Sequence, residues 1–294
     1  MRLLITGASG LYGSKLANLA EENGHEVYSA YKDHHAPFGK PVRLDVSNRI
    51  EVEKTFKEIA PEAVVHAASL TDVDKCELNR ELAWQINVKG TENIARASQS
   101  ASAFLLYVST DYVFDGEKGC YTETDPPNPL NFYGLTKVRA EERVKFVTAD
   151  WCIARASVIY GATPAAGKVN FALWVLNSLK KKEKTKVLVD QWNSPTLNSS
   201  LARMTLEIVE RRLTGLFHLS GATRISRYDF AKTIADTFDL DSSPLVPTVA
   251  KEFSWVAKRP RDSSLNTAKA QRLLKSKPLS IEEALQEMKQ ETGL

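Results

Sequence analysis

Leu3-Leu4-Ile5-Thr6-Gly7-Ala8-Ser9-Gly10-Leu11-Tyr12-Gly13 stands at the start of the chain, and Ser14 to Glu22 after it read as a helix. A short apolar strand, a glycine turn and a helix in that order predict a dinucleotide-binding βα turn. Gly7, Gly10 and Gly13 let the backbone turn tightly and approach a pyrophosphate with no Cβ in the way. The helix start, with Leu11 and Tyr12 in its first turn, offers free N–H groups and a partial positive charge to that anion. The spacing is Gly-x-x-Gly-x-x-Gly, one position off the strict Gly-x-Gly-x-x-Gly fingerprint.

Further β-like runs follow at Glu26 to Ala30, Val42 to Leu44, Ala63 to His66, Phe104 to Ser109 and Cys152 to Ala156, with helices between most of them, such as Ile50 to Glu58 and Ala83 to Ser100. This alternation predicts an α/β fold with a doubly wound parallel sheet of Rossmann type, ligands lying at the strand C-termini. Residues 1–160 are read as the nucleotide-binding domain. After Gly161 the pattern loosens into a smaller interleaved substrate-binding lobe over 161–294, with late elements from about 186–220 returning to the first domain.

With 294 residues, 43% hydrophobic and 26% charged, the chain is long enough for one large core and an appended lobe, and neither disordered nor fibrous. Its 39 basic and 36 acidic residues are spread along the sequence, so the net charge of +3 implies no nucleic-acid partner. The basic run Lys180 to Lys186 reads as a solvated helix end and loop. Cys76, Cys120 and Cys152 suggest neither a disulfide framework nor a metal cluster. No apolar run approaches the ~20 residues that span a bilayer, and Met1 leads straight into the first strand, so a cytoplasmic protein with no membrane partner is expected.

Chemistry is carried by Tyr133-Gly134-Leu135-Thr136-Lys137. Residues four apart share a helix face, so Tyr133 and Lys137 can meet one ligand, and a nearby ammonium favours the phenolate. Thr110 ends the apolar strand before Asp111 and can hydrogen-bond a substrate carbonyl beside the predicted cofactor. Glycine loop, strand-end Thr and Tyr/Lys helix occur in the order and spacing of the extended short-chain dehydrogenases, whose displaced first glycine the loop also resembles.

More specifically, Ser109-Thr110-Asp111-Tyr112-Val113-Phe114-Asp115-Gly116 and Pro129 to Lys137 resemble the dTDP-4-dehydrorhamnose reductase family, supported by His66 to Asp74, Asn87 to Thr91, Asp190 to Thr196 and Arg259 to Leu265. The resemblance implies hydride transfer from a reduced nicotinamide to the C4 keto group of a nucleotide-linked deoxysugar. Tyr133 would protonate the new alkoxide, Lys137 would hold the nicotinamide ribose and lower the tyrosine pKa, and Thr110 would orient the keto oxygen. Ala67, Ala68 and Ser69 would line the cofactor, with Asp45 and Val46 near the adenine. Thr71, Thr110, Asp111, Tyr112, Gln191, Trp192 and Arg259 would meet the substrate, Arg259 and Arg261 being suited to a diphosphate.

The sequence also departs from that family. Val158 stands where members commonly carry a tryptophan beside the sugar, which leaves the identity of the sugar open. Lys15 stands where some members have a glutamate for a metal at a dimer interface, so no metal is expected. No acid ends the second strand at Tyr28 to Lys32, and Ser29 or Lys32 could receive a 2'-phosphate, so NADP(H) is expected, with Asp33 keeping NAD(H) as the alternative. His66 is read as structural. Tyr112 follows Asp111 where sugar-nucleotide dehydratases place a Glu, which disfavours dehydration. A nucleotide-sugar epimerase, or a regulatory subunit resembling the methionine adenosyltransferase beta subunit, are the other readings. A homodimer is expected by analogy, through helices at Ala83 to Ser100 and Leu135 to Val147.

Overall fold

The computed structural model describes residues 1–164 and 168–293. Its strands are β1 Arg2–Thr6, β2 Glu26–Tyr31, β3 Lys40–Arg43, β4 Ala63–His66, β5 Phe104–Thr110, β6 Trp151–Ala156, β7 Ile159–Tyr160, β8 Thr185–Leu188, β9 Trp192–Asn193, β10 Thr196–Leu197, β11 Gly215–His218, β12 Ile225–Ser226 and β13 Leu245–Thr248. The helices are α1 Leu11–Glu22, α2 Arg49–Ile59, α3 Val73–Leu78, α4 Arg80–Trp84, α5 Gly90–Ser100, α6 Phe132–Val147, α7 Phe171–Lys180, α8 Asn198–Glu210, α9 Arg227–Thr237, α10 Ala268–Leu273 and α11 Ile281–Thr292.

Seven parallel strands form the main sheet in the order β11-β6-β5-β4-β1-β2-β3. The chain winds outward from β1 to β3, then crosses back to β4, so the order reverses between β1 and β4. This is the doubly wound Rossmann sheet, with its ligand crevice at that reversal. Both faces are covered. Leu3, Ile5, Val65 and Leu106 pack with α1 and α8 residues such as Leu16 and Met204, while Leu4, Val64, Leu105 and Ile153 pack with α2, α5 and α6 through Phe56, Ile94 and Val144. Near-continuous apolar strands follow from burial on both sides.

A third core gathers α7, α9 and α11 around Phe230, Leu176 and Leu285. The return to the main sheet begins with α8 and β11. The strand expected from Lys186 instead pairs with β13, outside that sheet. The helix expected over Ala83 to Ser100 is interrupted by a π-helical segment, Gln85–Lys89, between α4 and α5. That wider turn carries Asn87, whose side chain accepts from Leu70 N at 2.7 Å and Ser69 Oγ at 2.9 Å and donates to Thr136 Oγ1 at 3.0 Å. It ties the segment after β4 to α6.

At the reversal, Gly7 has φ of 72°, and a Cβ there would lie 2.8 Å from Ala68 N and 2.9 Å from the Ala67 carbonyl carbon. Gly7→Ala is therefore expected to lower stability by about 2 kcal/mol, from left-handed strain plus the clash. Thermal unfolding and NADPH titration check it: a lower Tm with weaker NADPH binding is the expected pair of results.

Candidate functional site

The glycine turn forms the candidate cofactor end. Gly10 N donates to the Gly7 carbonyl at 3.0 Å, and no side chain caps α1, whose first-turn N–H groups are left for an anion. A Cβ on Gly13 would overlap the Gly7 carbonyl, so the cradle admits backbone only. These residues fit a dinucleotide pyrophosphate. Tyr12 is buried, and its hydroxyl donates to Thr205 Oγ1 in α8 at 2.8 Å. The Tyr12 side chain is a strut between two helices, which leaves its backbone N–H in the first turn of α1.

Of the two residues expected to receive a 2'-phosphate, Ser29 is ruled out because its side chain is fully buried in β2, facing Gly39. Lys32 is half-exposed past the end of β2 and pairs with Asp45 at 2.7 Å. Asp45 also takes the Ser47 amide at 3.0 Å. Val46 is buried against Gly90, where a Cβ would lie 2.8 Å from its Cγ2. Ala67 and Ala68 are held to β1 through Thr6. His66 bridges Thr6 Oγ1 at 2.6 Å and Thr91 Oγ1 at 3.0 Å, and burial holds its pKa down to about 3. It is a neutral structural tie. Lys15 pairs with Glu291 at 2.8 Å.

The catalytic candidates converge at the end of β5. Asn131 caps α6 by accepting from Gly134 N at 2.9 Å, and its amide donates to the Lys258 carbonyl at 2.8 Å, which anchors the helix to the lobe. Tyr133 lies in the first turn and Lys137 one turn later, both buried. Lys137 Nζ donates to the Val108 carbonyl at 2.7 Å and sits 4.3 Å from the Tyr107 ring centre. Burial lowers its pKa to about 7, with Glu141 opposing. Burial also raises the Tyr133 phenol above its ordinary value, while the adjacent Thr110 hydroxyl acts the other way. The expected lowering of the Tyr133 pKa by Lys137 is thus not what governs the phenol in this structure; desolvation is.

Asp111 does not face a ligand. Its buried carboxylate accepts hydroxyls from Thr110 at 3.0 Å, Ser157 at 2.9 Å and Ser263 at 2.6 Å, stitching β5 to the lobe. Trp192 is likewise diverted, with the guanidinium groups of Arg224 and Arg261 at 5.2 and 5.5 Å from its ring. Arg261 is therefore not beside Arg259 in the cleft. Thr71 is exposed in the segment before α3. Val158 has φ of 40°, uncommon for a β-branched residue, and its carbonyl accepts from Thr196 N at 3.1 Å.

A cleft of about 300 Å³ opens in the lobe, with Tyr112 at its boundary with the Rossmann domain. Tyr112, Gln191 and Arg259 line it as expected, joined by Arg227, Lys186 and four aromatic side chains, Phe171, Trp174, Phe253 and Trp255. Tyr112 meets Tyr133 edge-on at 6.1 Å, which connects the cleft to the candidate catalytic residues. Arg227 stacks on Phe171 at 5.0 Å and Arg259 on Trp255 at 5.6 Å. Lys186 had been read as part of a solvated run, and Arg227 carried no motif; only the fold brings them here.

Comparison with known proteins gives the family. A model described as the RmlD substrate binding domain matches residues 1–293, nearly the whole chain. The chain belongs to the dTDP-4-dehydrorhamnose reductase (RmlD) family. RmlD-family relatives include the dTDP-4-dehydrorhamnose reductase of Aggregatibacter actinomycetemcomitans, 33% identical and matching over 98% of both chains. The dTDP-4-dehydrorhamnose reductase of Bacillus anthracis, solved in complex with NADP, superposes with a TM-score of 0.89 at 33% identity, over 99% of both chains. The family also reaches the methionine adenosyltransferase 2 subunit beta of Xenopus tropicalis, 31% identical over 92% of this chain and 82% of that one. As an RmlD-family member with reductase relatives, the chain is an oxidoreductase.

Proposed function

We propose that this protein reduces the C4 keto group of a nucleotide-linked 4-keto-6-deoxysugar with NADPH. The observation that carries the reading is the convergence of Thr110, Tyr133 and Lys137 between an anion-binding glycine turn and a cleft lined by cations and aromatic rings. NADPH supplies the hydride when bound. Thr110 orients the keto oxygen, Tyr133 passes its phenolic proton to the developing alkoxide, and Lys137 holds the nicotinamide ribose. A phenol with a raised pKa remains protonated at neutral pH, which suits a proton donor in the reducing direction.

Cofactor choice follows from Lys32, which stands at the strand edge able to face a 2'-phosphate, and from the NADP-bound relative. NAD(H) is the alternative that the Asp45 carboxylate keeps open, since it already engages that ammonium. The cleft supports a nucleoside diphosphate, its base among the aromatic side chains and its phosphates against the guanidinium groups. Trp192 and Asp111 act as scaffold rather than substrate contacts. The chain's working place would be the cytoplasm, and the α5 and α6 faces would pair two copies.

Incubation of the purified protein with NADPH and dTDP-4-keto-6-deoxyhexose tests the reading. Stoichiometric NADPH oxidation is expected. Sugar isomerisation without net oxidation would replace it with an epimerase. Inactivity together with co-purification of a methionine adenosyltransferase would favour the regulatory role that the Xenopus relative's name suggests.

A further inference from the structure

Glu141 lies four residues after Lys137 and eight after Tyr133, on the same stripe of α6. Its carboxylate and the Arg155 guanidinium are each only 2% exposed. Arg155 donates through Nε to Oε1 at 2.9 Å and through Nη2 to Oε2 at 2.7 Å, and the Ser109 hydroxyl donates to Oε1 at 2.6 Å. Ser109 and Arg155 are register partners across β5 and β6, so both central strands grip the same carboxylate. Ser109 is also flanked by Val108, which holds the Lys137 amine, and Thr110, which sits beside the Tyr133 phenol. Buried ion pairs are costly to desolvate and add little net stability over an apolar pair of the same size. Their value here is geometric and electrostatic.

We propose that Glu141 is a positioning residue of the Tyr133 and Lys137 site: clamped by Ser109 and Arg155, it fixes the register of α6 on β5 and sets a negative charge one turn from the Lys137 ammonium. The proposal rests on the hydride-transfer reading above. Lys137 is faced by Glu141 from its own helix, by Cys76 from α3, by His66 from β4 and by Tyr107 from β5, with Tyr133 one turn before it on α6. Burial keeps the imidazole neutral and pushes the Cys76 thiol up to about 11, and the phenols stay neutral too. Glu141 is the anion in that set. It opposes the loss of the Lys137 proton, and a protonated amine is what a ribose hydroxyl accepts a hydrogen bond from.

NADPH affinity against pH, followed by fluorescence titration, tests this without any keto sugar. In the wild-type chain, binding is expected to weaken as pH rises through about 7. Glu141→Gln should move that midpoint about one unit lower, giving about eightfold weaker binding at pH ~7.5. The double variant Glu141→Leu/Arg155→Met removes both charges and should show a smaller displacement in the same direction, in a chain that melts cooperatively. Glu141→Asp should restore the midpoint while turning over more slowly, since the charge returns at a shorter reach. If the double variant fails to fold, Ser109→Ala decides, with lower kcat expected in a chain that is less stable but still melts cooperatively. A flat wild-type response, a folded double variant with the wild-type midpoint, or Ser109→Ala with wild-type kcat overturns the proposal. A wild-type chain that binds NADPH but reduces no keto sugar overturns the preceding functional reading and leaves the binding comparison intact.

Discussion

Tyr133→Phe is expected to lower kcat by roughly a thousandfold while NADPH affinity changes less than about twofold, the loss being that of a positioned general acid. The ring is buried against Cys76 and Ala83, and the substitution keeps that packing because it removes one oxygen. Folding should therefore be unaffected, which makes the variant a clean probe. Steady-state kinetics in the reducing direction and a separate cofactor titration distinguish the two quantities. If kcat were within a few-fold of wild type, the alkoxide would be receiving its proton from elsewhere, and Tyr133 would leave the mechanism.

The electrostatics of Tyr133 and Lys137 suit the proposed reducing direction. Burial favours the neutral phenol over the phenolate and the neutral amine over the ammonium, so the two members of the pair are affected oppositely. The phenol keeps its proton throughout the neutral range. The amine is the group that titrates, near 7, so the alkaline decline of kcat/KM is expected to come from Lys137. Below that value the ammonium is present and turnover is maintained; above it the amine is neutral and turnover falls. A decline displaced to above pH 9 in the free enzyme would show that the lysine is more hydrated than its burial implies.

The sequence pattern reached far into the Rossmann half because local and global signals agree there. Apolar runs became β1, β2, β4, β5 and β6 within a residue or two, since strands buried on both faces leave a continuous apolar signature. Tyr133, Lys137 and Thr110 were legible because a helical repeat and a strand end fix their neighbourhood. The lobe was less so. Arg227 and Lys186 enter the cleft from α9 and β8, elements about forty residues apart whose approach depends on β8 pairing with β13 and on the third core. No local spacing encodes that meeting. Side-chain direction was the other limit: Ser29, Tyr12 and Asp111 each turn into the protein to satisfy a packing or hydrogen-bonding need, and the half-exposed Trp192 ring is taken up by Arg224 and Arg261.

Arg227→Gln is expected to lower kcat/KM for the nucleotide sugar by roughly thirtyfold, about 2 kcal/mol, the usual scale for losing hydrogen bonds between a guanidinium and an anion. Among the cations lining the cleft, Lys186 pairs with Glu252 at 3.2 Å and Arg259 with Asp74 at 3.1 Å. Arg227 differs: its Nε donates to the amide oxygen of Gln191 at 3.2 Å, and among the described residues no carboxylate forms an ion pair with it. Its guanidinium is partly buried, which pulls its pKa down, and an incoming diphosphate would offset that desolvation. The effect should fall on KM, with kcat nearly intact, because the contact is remote from the reacting carbon and equal in ground and transition states. Calorimetric titration with the free nucleoside diphosphate and with the matching nucleoside separates the phosphate contact from base stacking. The variant should lose affinity for the diphosphate and bind the nucleoside as the wild type does. Equal losses for both ligands would mean that Arg227 supports the Phe171 wall on which it stacks instead of holding phosphate.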